Sequence, residues 1–382
     1  MAKKRTKYFF DYTLLLVVFA LLIFGMLMIF STSSYEASMQ GHSAYFYLRK
    51  QIVAVGIGLG AMFIIIFMKS YYWMRSKVIL GTAVIGSVIL MLLLFSPLAF
   101  SANGATRWLD LKIVNLQPAE VVKLFMIVFL AGFIANGPGR LRDWKGIGVA
   151  MGVPGALAIL IWQISDNLSS AIIVLGIAGV VVFVSTKNYK WYLLGILVVA
   201  LFAGGYVLLT IYQSKNGVAI DFRQDRIIAW LDPESYSSDT GYQTLQSLYA
   251  IGSGGILGKG IGESVQKLGF IPEAQNDMIF SIICEELGLV GALVVMALFA
   301  LLIYRCLLIA VNANDLYSAL LVVGVMAHIA IQVVLNIAVV TNSIPNTGIS
   351  LPFISYGGSS VVFLLCEIGI VLRVSRSIKV EE

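Results

Sequence analysis

The sequence predicts an all-α polytopic membrane protein with about ten transmembrane helices and a long extracellular loop between helices 7 and 8. Three observations carry that prediction. Of 382 residues, 59% are hydrophobic and only 12% charged, and the mean hydropathy is +0.92, far outside the range of water-soluble domains. Apolar runs of about 20 residues, the length that crosses a bilayer, recur along the whole chain. Basic residues gather in alternate connections, as they do when a chain weaves through a membrane.

The runs fall at roughly 11–31, 51–68, 78–100, 119–135, 147–164, 168–184, 191–212, 277–304, 318–341 and 353–373, each close to the spanning length. The first follows Lys3, Lys4, Arg5 and Lys7; it is too long for a cleaved leader and lacks a small-residue cleavage site, so it reads as a retained span. The second follows Arg49 and Lys50, and the third follows Arg75 and Lys77. Pro118 opens the fourth, a position proline favours in a first helical turn. Arg140, Arg142 and Lys145 precede the fifth, while the fifth and sixth are short with a soft boundary near Asp166. Lys187 and Lys190 introduce the seventh, and Arg305 closes the eighth. The tenth ends against Arg373, Arg376 and Lys379.

The short connections on the opposite side hold only Arg49, Lys50, Arg107 and Lys112 among basic residues. Both termini are therefore expected in the cytoplasm, with residues 213–276 outside. The chain reads as one membrane domain over residues 1–382, with that loop inside it. The loop is too long to be a simple turn. Arg223 to Leu231 has helical character before Asp232-Pro233, and Gly241 to Leu248 reads as an amphipathic segment at the interface.

A glycine-rich stretch follows, from Gly252 to Gly262. A phosphate-binding P-loop would need glycine at Ser253 and a hydroxyl residue at Gly260, and no strand-to-helix context for a dinucleotide fingerprint exists. A tight outer turn presenting backbone N–H groups to a substrate is the expectation. Neither a nucleotide nor a nucleic-acid partner is expected. Cys284, Cys306 and Cys366 lie in or beside spans and read as small buried hydrophobes, without a disulfide framework or a Cys/His metal site.

Ionisable residues in apolar helices cost roughly 2.5–3.5 kcal/mol each near the bilayer centre on insertion scales, so they mark polar cavities or one another. Glu120 and Lys123 lie three residues apart on one helical face. Glu120 complements a helix start, but Lys123 has no such ordinary explanation. Arg107 sits beside Trp108; it suits either forked phosphate recognition or contact with lipid headgroups. Asp277 heads the eighth span, where Asn276 or Asp277 would serve equally as an N-cap or, with its pKa raised by burial, Asp277 as a general base. Glu285 and Glu286 stand two turns deeper, with at least one expected to face the interior. Pro345 to Ser360, with two prolines and a Gly-Gly pair, marks irregular backbone lining a cavity. His42 and His328 read as structural.

Four ordered blocks, Asn103 to Trp108, Gln117 to Lys123, Gly241 to Glu286 and Pro345 to Ser360, together resemble the SEDS family of bacterial cell-wall polymerases, represented by FtsW, RodA and SpoVE. Gln266 to Asp277 and Thr341 to Gly348 resemble FtsW or SpoVE more than RodA, which favours a role in division, with sporulation and elongation as the other settings. The resemblance implies a peptidoglycan glycosyltransferase that polymerises lipid II at the outer face of the cytoplasmic membrane. It implies as partners lipid II, a polyprenyl-pyrophosphate-linked glycan, a class B penicillin-binding protein and other divisome proteins. Asp277 matches the essential carboxylate of the family's Pro-Glu-x-x-x-Asp-x-x-Phe segment, and Arg107, Glu120, Lys123 and Arg226 match polar positions at the substrate cavity. A divalent cation such as Mg²⁺ or Mn²⁺ is a candidate helper, although no dedicated metal cage is readable. At Ser165 to Ala171 the match is imperfect: Asp166 or Asn167 aligns with an acidic family position, and an N-cap suffices to explain Asp166. A lipid II flippase and a non-catalytic divisome scaffold are the competing readings, since broken helices and buried charge suit transport as well.

The topology predicts that, in a background without native cysteines, a cysteine at Ser237 is labelled from outside the cell and one at Lys379 is not. Labelling of the second alone reverses the assignment.

Overall fold

The computed structural model describes residues 7–102, 105–110, 112, 115–186, 190–216, 222–235 and 241–380. Lys3, Lys4, Arg5, Asn103, Lys187, Asp221, Ser237 and Asp239 lie outside them. The chain runs β1 (Lys7–Tyr8), α1 (Tyr12–Met39), α2 (Phe46–Phe67), α3 (Lys77–Leu92), β2 (Ala99–Ala102), β3 (Ala105–Asp110), β4 (Asn115–Leu116), α4 (Pro118–Ala135), α5 (Trp144–Ser165), α6 (Leu168–Ser185) and α7 (Lys190–Lys215). It continues through α8 (Phe222–Leu231), α9 (Tyr242–Gly254), α10 (Ile279–Val311), α11 (Leu316–Val340), α12 (Gly358–Ser375) and β5 (Lys379–Val380). Among the described residues, nine helices are long and apolar enough to cross a membrane. The helix α7 stands where the sequence places the seventh span.

These helices are apolar on every side, as a bilayer requires. Leu16, Ile23, Ile64, Val78 and Ile85 face outward, while Glu120, Lys123, Glu285, Glu286, His328 and Glu367 are buried within the bundle. In water that distribution would be inverted; in lipid it places each costly polar group against protein. Close helix contacts depend on small residues. A Cβ on Gly25 of α1 would come within 2.5 Å of the Phe353 carbonyl oxygen, so α1 lies directly against the backbone of the irregular segment before α12.

The two ends of the bundle are tied differently. At one end β1 pairs antiparallel with β5, bringing the first and last described segments together, and Asp11 caps α1 at the Leu14 N–H (2.8 Å) while receiving two N–H groups of Arg305. At the other end β2, β3 and β4 form a small antiparallel sheet between α3 and α4. The sequence reading did not foresee that sheet. Its strands are short, and the preceding apolar run read straight through to residue 100; the third span ends with a short 3-10 turn at Phe95.

The glycine-rich stretch has another use than the one expected. Gly288 leaves the helical region (φ 66°, ψ −165°) and breaks α10 into two segments. The break frees backbone groups, and residues 255–260 take them up. Lys259 and Gly260 N–H donate to the carbonyls of Glu285 and Glu286 (3.0 and 2.9 Å), while Leu289 and Val290 N–H donate to those of Gly255 and Ile256 (2.9 and 3.1 Å). The two carboxylates fasten the same loop. Glu285 accepts from Lys259 Nζ at 2.6 Å, from Ser253 and Ser264, and from the Val265 and Gln266 N–H groups. Glu286 accepts from Lys267 Nζ at 2.8 Å and Ser31 of α1 at 2.7 Å. The amides of Lys259 and Gly260 thus serve the kinked helix instead of a substrate, because a broken helix at this depth has no water to satisfy it.

A Cβ at Gly288 would stand 2.4 Å from the Gly258 nitrogen. The Gly288→Ala variant should lose about 1–3 kcal/mol from backbone strain alone, with steric cost added. A thermal midpoint in detergent equal to the wild type's would show that the kink does not need glycine.

Candidate functional site

The candidate residues gather at the end of the bundle remote from the termini, around the irregular segment 342–357. That segment is held by side chains from several elements. Asn336 of α11 donates to the carbonyls of Ile349 (2.6 Å) and Asp277 (2.8 Å), and Gln332, one turn away, donates to Ser350 O at 3.0 Å. Ser169 at the start of α6 donates to the Thr347 carbonyl. Arg226 of α8 donates to Asn346 O at 3.3 Å, and Asn346 donates to Gln243 of α9 at 3.0 Å. Trp230 and Asn342 exchange bonds of 2.9 and 3.2 Å. The loop helices α8 and α9 are where the sequence placed them. Their positions are set by these contacts with the segment, and Ser247 of α9 also reaches Val340 O.

Asp277 lies just before α10, partly buried. The helix begins after Met278 with no side-chain cap, so neither Asn276 nor Asp277 acts as the expected N-cap. Asn276 instead donates to Glu273 at 2.7 Å. Gly348 faces the carboxylate; a Cβ there would lie 3.7 Å from Asp277 Oδ2. Burial pushes the Asp277 carboxyl up to about 6, the nearby Glu273 charge adds to the rise, and the Arg226 charge opposes it. A carboxylate poised near neutrality, with a cation and a second carboxylate in its field, is equipped to accept a proton.

Glu120 and Lys123 are paired at 2.7 Å on the first turns of α4, both almost fully buried. Glu120 Oε2 has no hydrogen-bond partner among the described residues, nor has the buried Thr347 hydroxyl. The N-terminus of α4 abuts that of α12, where Gln117 N–H donates to Ser359 Oγ at 3.2 Å. Breaking a buried pair by deleting one partner typically costs about 3–5 kcal/mol, so this pair is also a structural commitment.

Arg107, on β3, is partly buried and uses Nε and Nη2 on the carbonyls of Ser165 (3.1 Å) and Asp166 (2.8 Å). Burial lowers its pKa and the Asp166 charge counters that. It clamps the C-terminus of α5 against the start of α6, the helix that carries Ser169. The N-cap of α6 is Asn167, which accepts from Ser170 N–H at 2.9 Å; Asp166 instead turns the chain in the left-handed region (φ 49°), which corrects the expected cap.

The structure therefore brings Asp277 and Arg226 into one electrostatic neighbourhood and Glu120 and Lys123 into direct contact. It links Arg107 to the same segment through the α5–α6 corner. Sequence reading missed Gln332 and Asn336, whose amides look unremarkable in an apolar run, and the buried pair His328–Glu367 (2.8 Å). Glu367 was discoverable as a carboxylate in the middle of the last span. His328 Nδ1 meets Glu367 in the core, while His328 Nε2 and Glu367 Oε1 have no hydrogen-bond partner among the described residues. Among the described residues no group of three or more His, Cys, Asp or Glu is arranged to hold a metal.

The family model for cell cycle proteins of the FtsW, RodA and SpoVE type matches residues 12–380. Stage V sporulation protein E of Bacillus subtilis is 36% identical over 96% of this chain and 97% of its own. The probable peptidoglycan glycosyltransferase FtsW of Geobacter metallireducens is 33% identical over 97% and 96%. Among solved structures, a chain of a peptidoglycan synthase complex that coordinates polymerization and crosslinking superposes with a TM-score of 0.76 at 26% identity, covering 96% of this chain and 98% of that one. The rod shape determining protein RodA of Thermus thermophilus gives 0.64 at 25% identity, covering 97% of each.

The field around Asp277 makes a signed prediction. Its apparent pKa, followed by infrared titration of the carboxyl band against Asp277→Asn, should lie near 6. Removing the opposing cation in Arg226→Gln should raise it, and removing the like charge in Glu273→Gln should lower it. Because the folded value is raised, folding gains stability as pH falls from about 6 toward the ordinary carboxylate range, and Asp277→Asn should erase that gain. Equal values in all three proteins would dissolve the proposed coupling.

Proposed function

The chain belongs to the FtsW, RodA and SpoVE family, and from that premise we propose that it is a peptidoglycan glycosyltransferase that polymerises lipid II, with a role in cell division. The observation that carries the reading is the Asp277 carboxyl, raised by burial and held opposite Gly348 beside Arg226. Relatives with near-complete overlap bear the name peptidoglycan glycosyltransferase FtsW, which fits the division setting.

In the proposed reaction Asp277 takes the proton from the 4-hydroxyl of a lipid II N-acetylglucosamine as that oxygen bonds to the anomeric carbon of the growing strand. The bond from that carbon to the polyprenyl pyrophosphate breaks, and a single displacement inverts the anomeric configuration. The departing pyrophosphate gathers negative charge, for which Lys123 and Arg226 are the proposed cations. Among the described residues Arg107 Nη1 has no partner beyond its two carbonyl bonds through Nε and Nη2, and in this reading it serves both the α5–α6 corner and the anion. Glu120 holds the Lys123 ammonium at 2.7 Å in an apolar helix. Glu273 with pyrophosphate oxygens would suit a cation such as Mg²⁺ or Mn²⁺, which commonly binds through phosphate and one or two carboxylates. When bound, such an ion would supply further charge neutralisation.

The bundle is a multi-pass membrane protein, and the excess of basic residues at the end holding β1 and β5 supports cytoplasmic termini with the site outside. A class B penicillin-binding protein is the proposed partner, by analogy with the synthase complex whose chain shares this fold.

Purified Asp277→Asn should remain folded and bind lipid II while losing roughly 10²–10⁴ in polymerisation rate. Near-normal glycan synthesis by this variant would remove the general-base assignment, and wild-type lipid transport without any polymerisation would favour a flippase. A folded Lys123→Met protein keeps much of the side-chain stem and should lose polymerisation; full activity would take Lys123 out of the site.

A further inference from the structure

A cavity of about 630 Å³ opens at the end of the bundle that holds both termini, lined by Tyr72, Arg75, Ser76, Lys77 and Asn136. It lies at the start of α3 and the end of α4, the opposite end of that helix from Glu120 and Lys123. Its charge is distinctive. Several described cations at this end are already engaged: Arg305 forks onto Asp11, Arg373 donates to the carbonyls of Met68 and Lys69 and covers the Tyr71 ring, and Arg140 donates to Phe133 O and lies over its ring.

The two cations of the cavity are not. Lys77 has no ion pair, ring or side-chain hydrogen bond among the described residues. Arg75 bonds only to a neutral group, giving Nε to Asn136 Oδ1 (3.1 Å) while its own carbonyl accepts from Asn136 Nδ2 (2.7 Å). That exchange fixes the guanidinium and leaves both terminal nitrogens without a partner among the described residues. No carboxylate lines the cavity. The nearest one with a described link is Asp315, already shared among Tyr72 OH, Ser318 OH and Ser318 N–H (2.8, 2.7 and 3.1 Å). The Tyr317 hydroxyl, fully buried and within the field of Arg75, has no hydrogen-bond partner among the described residues either.

The surroundings identify what kind of anion fits. Ser76 caps the Ile79 N–H, so α3 begins at the cavity with its positive dipole end. From there Val78, Ile85 and Ile89 form one exposed apolar stripe along the helix (73%, 60% and 52% exposed), and Trp73 stands exposed beside its start, as interfacial tryptophans do. A ligand with an anionic head and long apolar tails matches both parts. We propose that this cavity binds the phosphate headgroup of an anionic phospholipid from the adjoining leaflet, with Arg75 and Lys77 on the phosphate and the acyl chains along α3. The site is independent of the proposed reaction.

The test uses the purified full chain, delipidated in detergent, with native mass spectrometry counting retained phosphatidylglycerol or cardiolipin against phosphatidylcholine. The probe for a free anion is glycerol phosphate. Arg75→Gln with Lys77→Gln should weaken retention of the anionic lipids about fivefold per charge removed, roughly 25-fold together. Lys69→Gln with Arg142→Gln, an equal loss of charge at the same end from residues that do not line the cavity, should cost clearly less than the Arg75 and Lys77 pair. Equal losses in the two double variants, equal retention of phosphatidylcholine by the wild type, or displacement of the lipid by glycerol phosphate would each overturn the proposal. If the first double variant does not fold, exposed Lys77→Gln alone carries the test, with an expected loss of about fivefold; a loss no greater than that of Lys69→Gln, or either of the other two outcomes, would overturn the proposal.

Discussion

A backbone that leaves helical geometry inside a membrane must find every hydrogen-bond partner within the protein, and this requirement organises the molecule. Two stretches break the rule of regular helix, the turn at Gly288 and the segment 342–357. Each is surrounded by side chains or loop amides that answer its exposed carbonyls and N–H groups. At Gly288 the answer is residues 255–260, fastened by Glu285 and Glu286. At 342–357 it is Asn336, Gln332, Ser169 and Arg226.

The chemistry follows from the same requirement. Asn336 bonds both the Ile349 and the Asp277 carbonyls, so one amide sets the separation of the segment from the carboxylate-bearing turn. Asp277 is consequently held without becoming a cap, and its carboxyl is free to respond to burial, Glu273 and Arg226. Arg107 contributes at one remove, because it fixes the corner from which Ser169 reaches Thr347. A carboxylate held this way depends on packing several residues away in every direction.

The buried charges separate into two kinds. Glu285 spends both oxygens on Lys259, Ser264 and neighbouring loop groups, whereas Glu286, tied to Lys267 and Ser31 through Oε1, keeps Oε2 without a partner among the described residues. Glu120 and Lys123 also close on each other, yet Glu120 retains an unpartnered oxygen at the head of α4. Depth alone therefore does not say how a buried charge is used, and the polar capacity left over at Glu120, Glu286 and Glu367 shows that the fold does not exhaust every one of them.

By itself the sequence determined the membrane class, the order of the spans and the helices α8 and α9. Hydropathy and periodicity are local quantities, and a bilayer selects on them directly. It also exposed Asp277, Lys123 and Glu120, because ionisable groups stand out in an apolar run, and the i, i+3 spacing foretold their pair. Only the tertiary structure decided the rest. Local sequence could not show that Asn167 and not Asp166 caps α6, that Gly252 to Gly262 serves a helix break, or that Arg107 grips two carbonyls. Nor could it show that Glu367 meets His328 or that a three-stranded sheet closes one end. Each of those outcomes depends on which distant backbone group lacks a partner, and that is fixed by how the helices pack and not by the residues on either side.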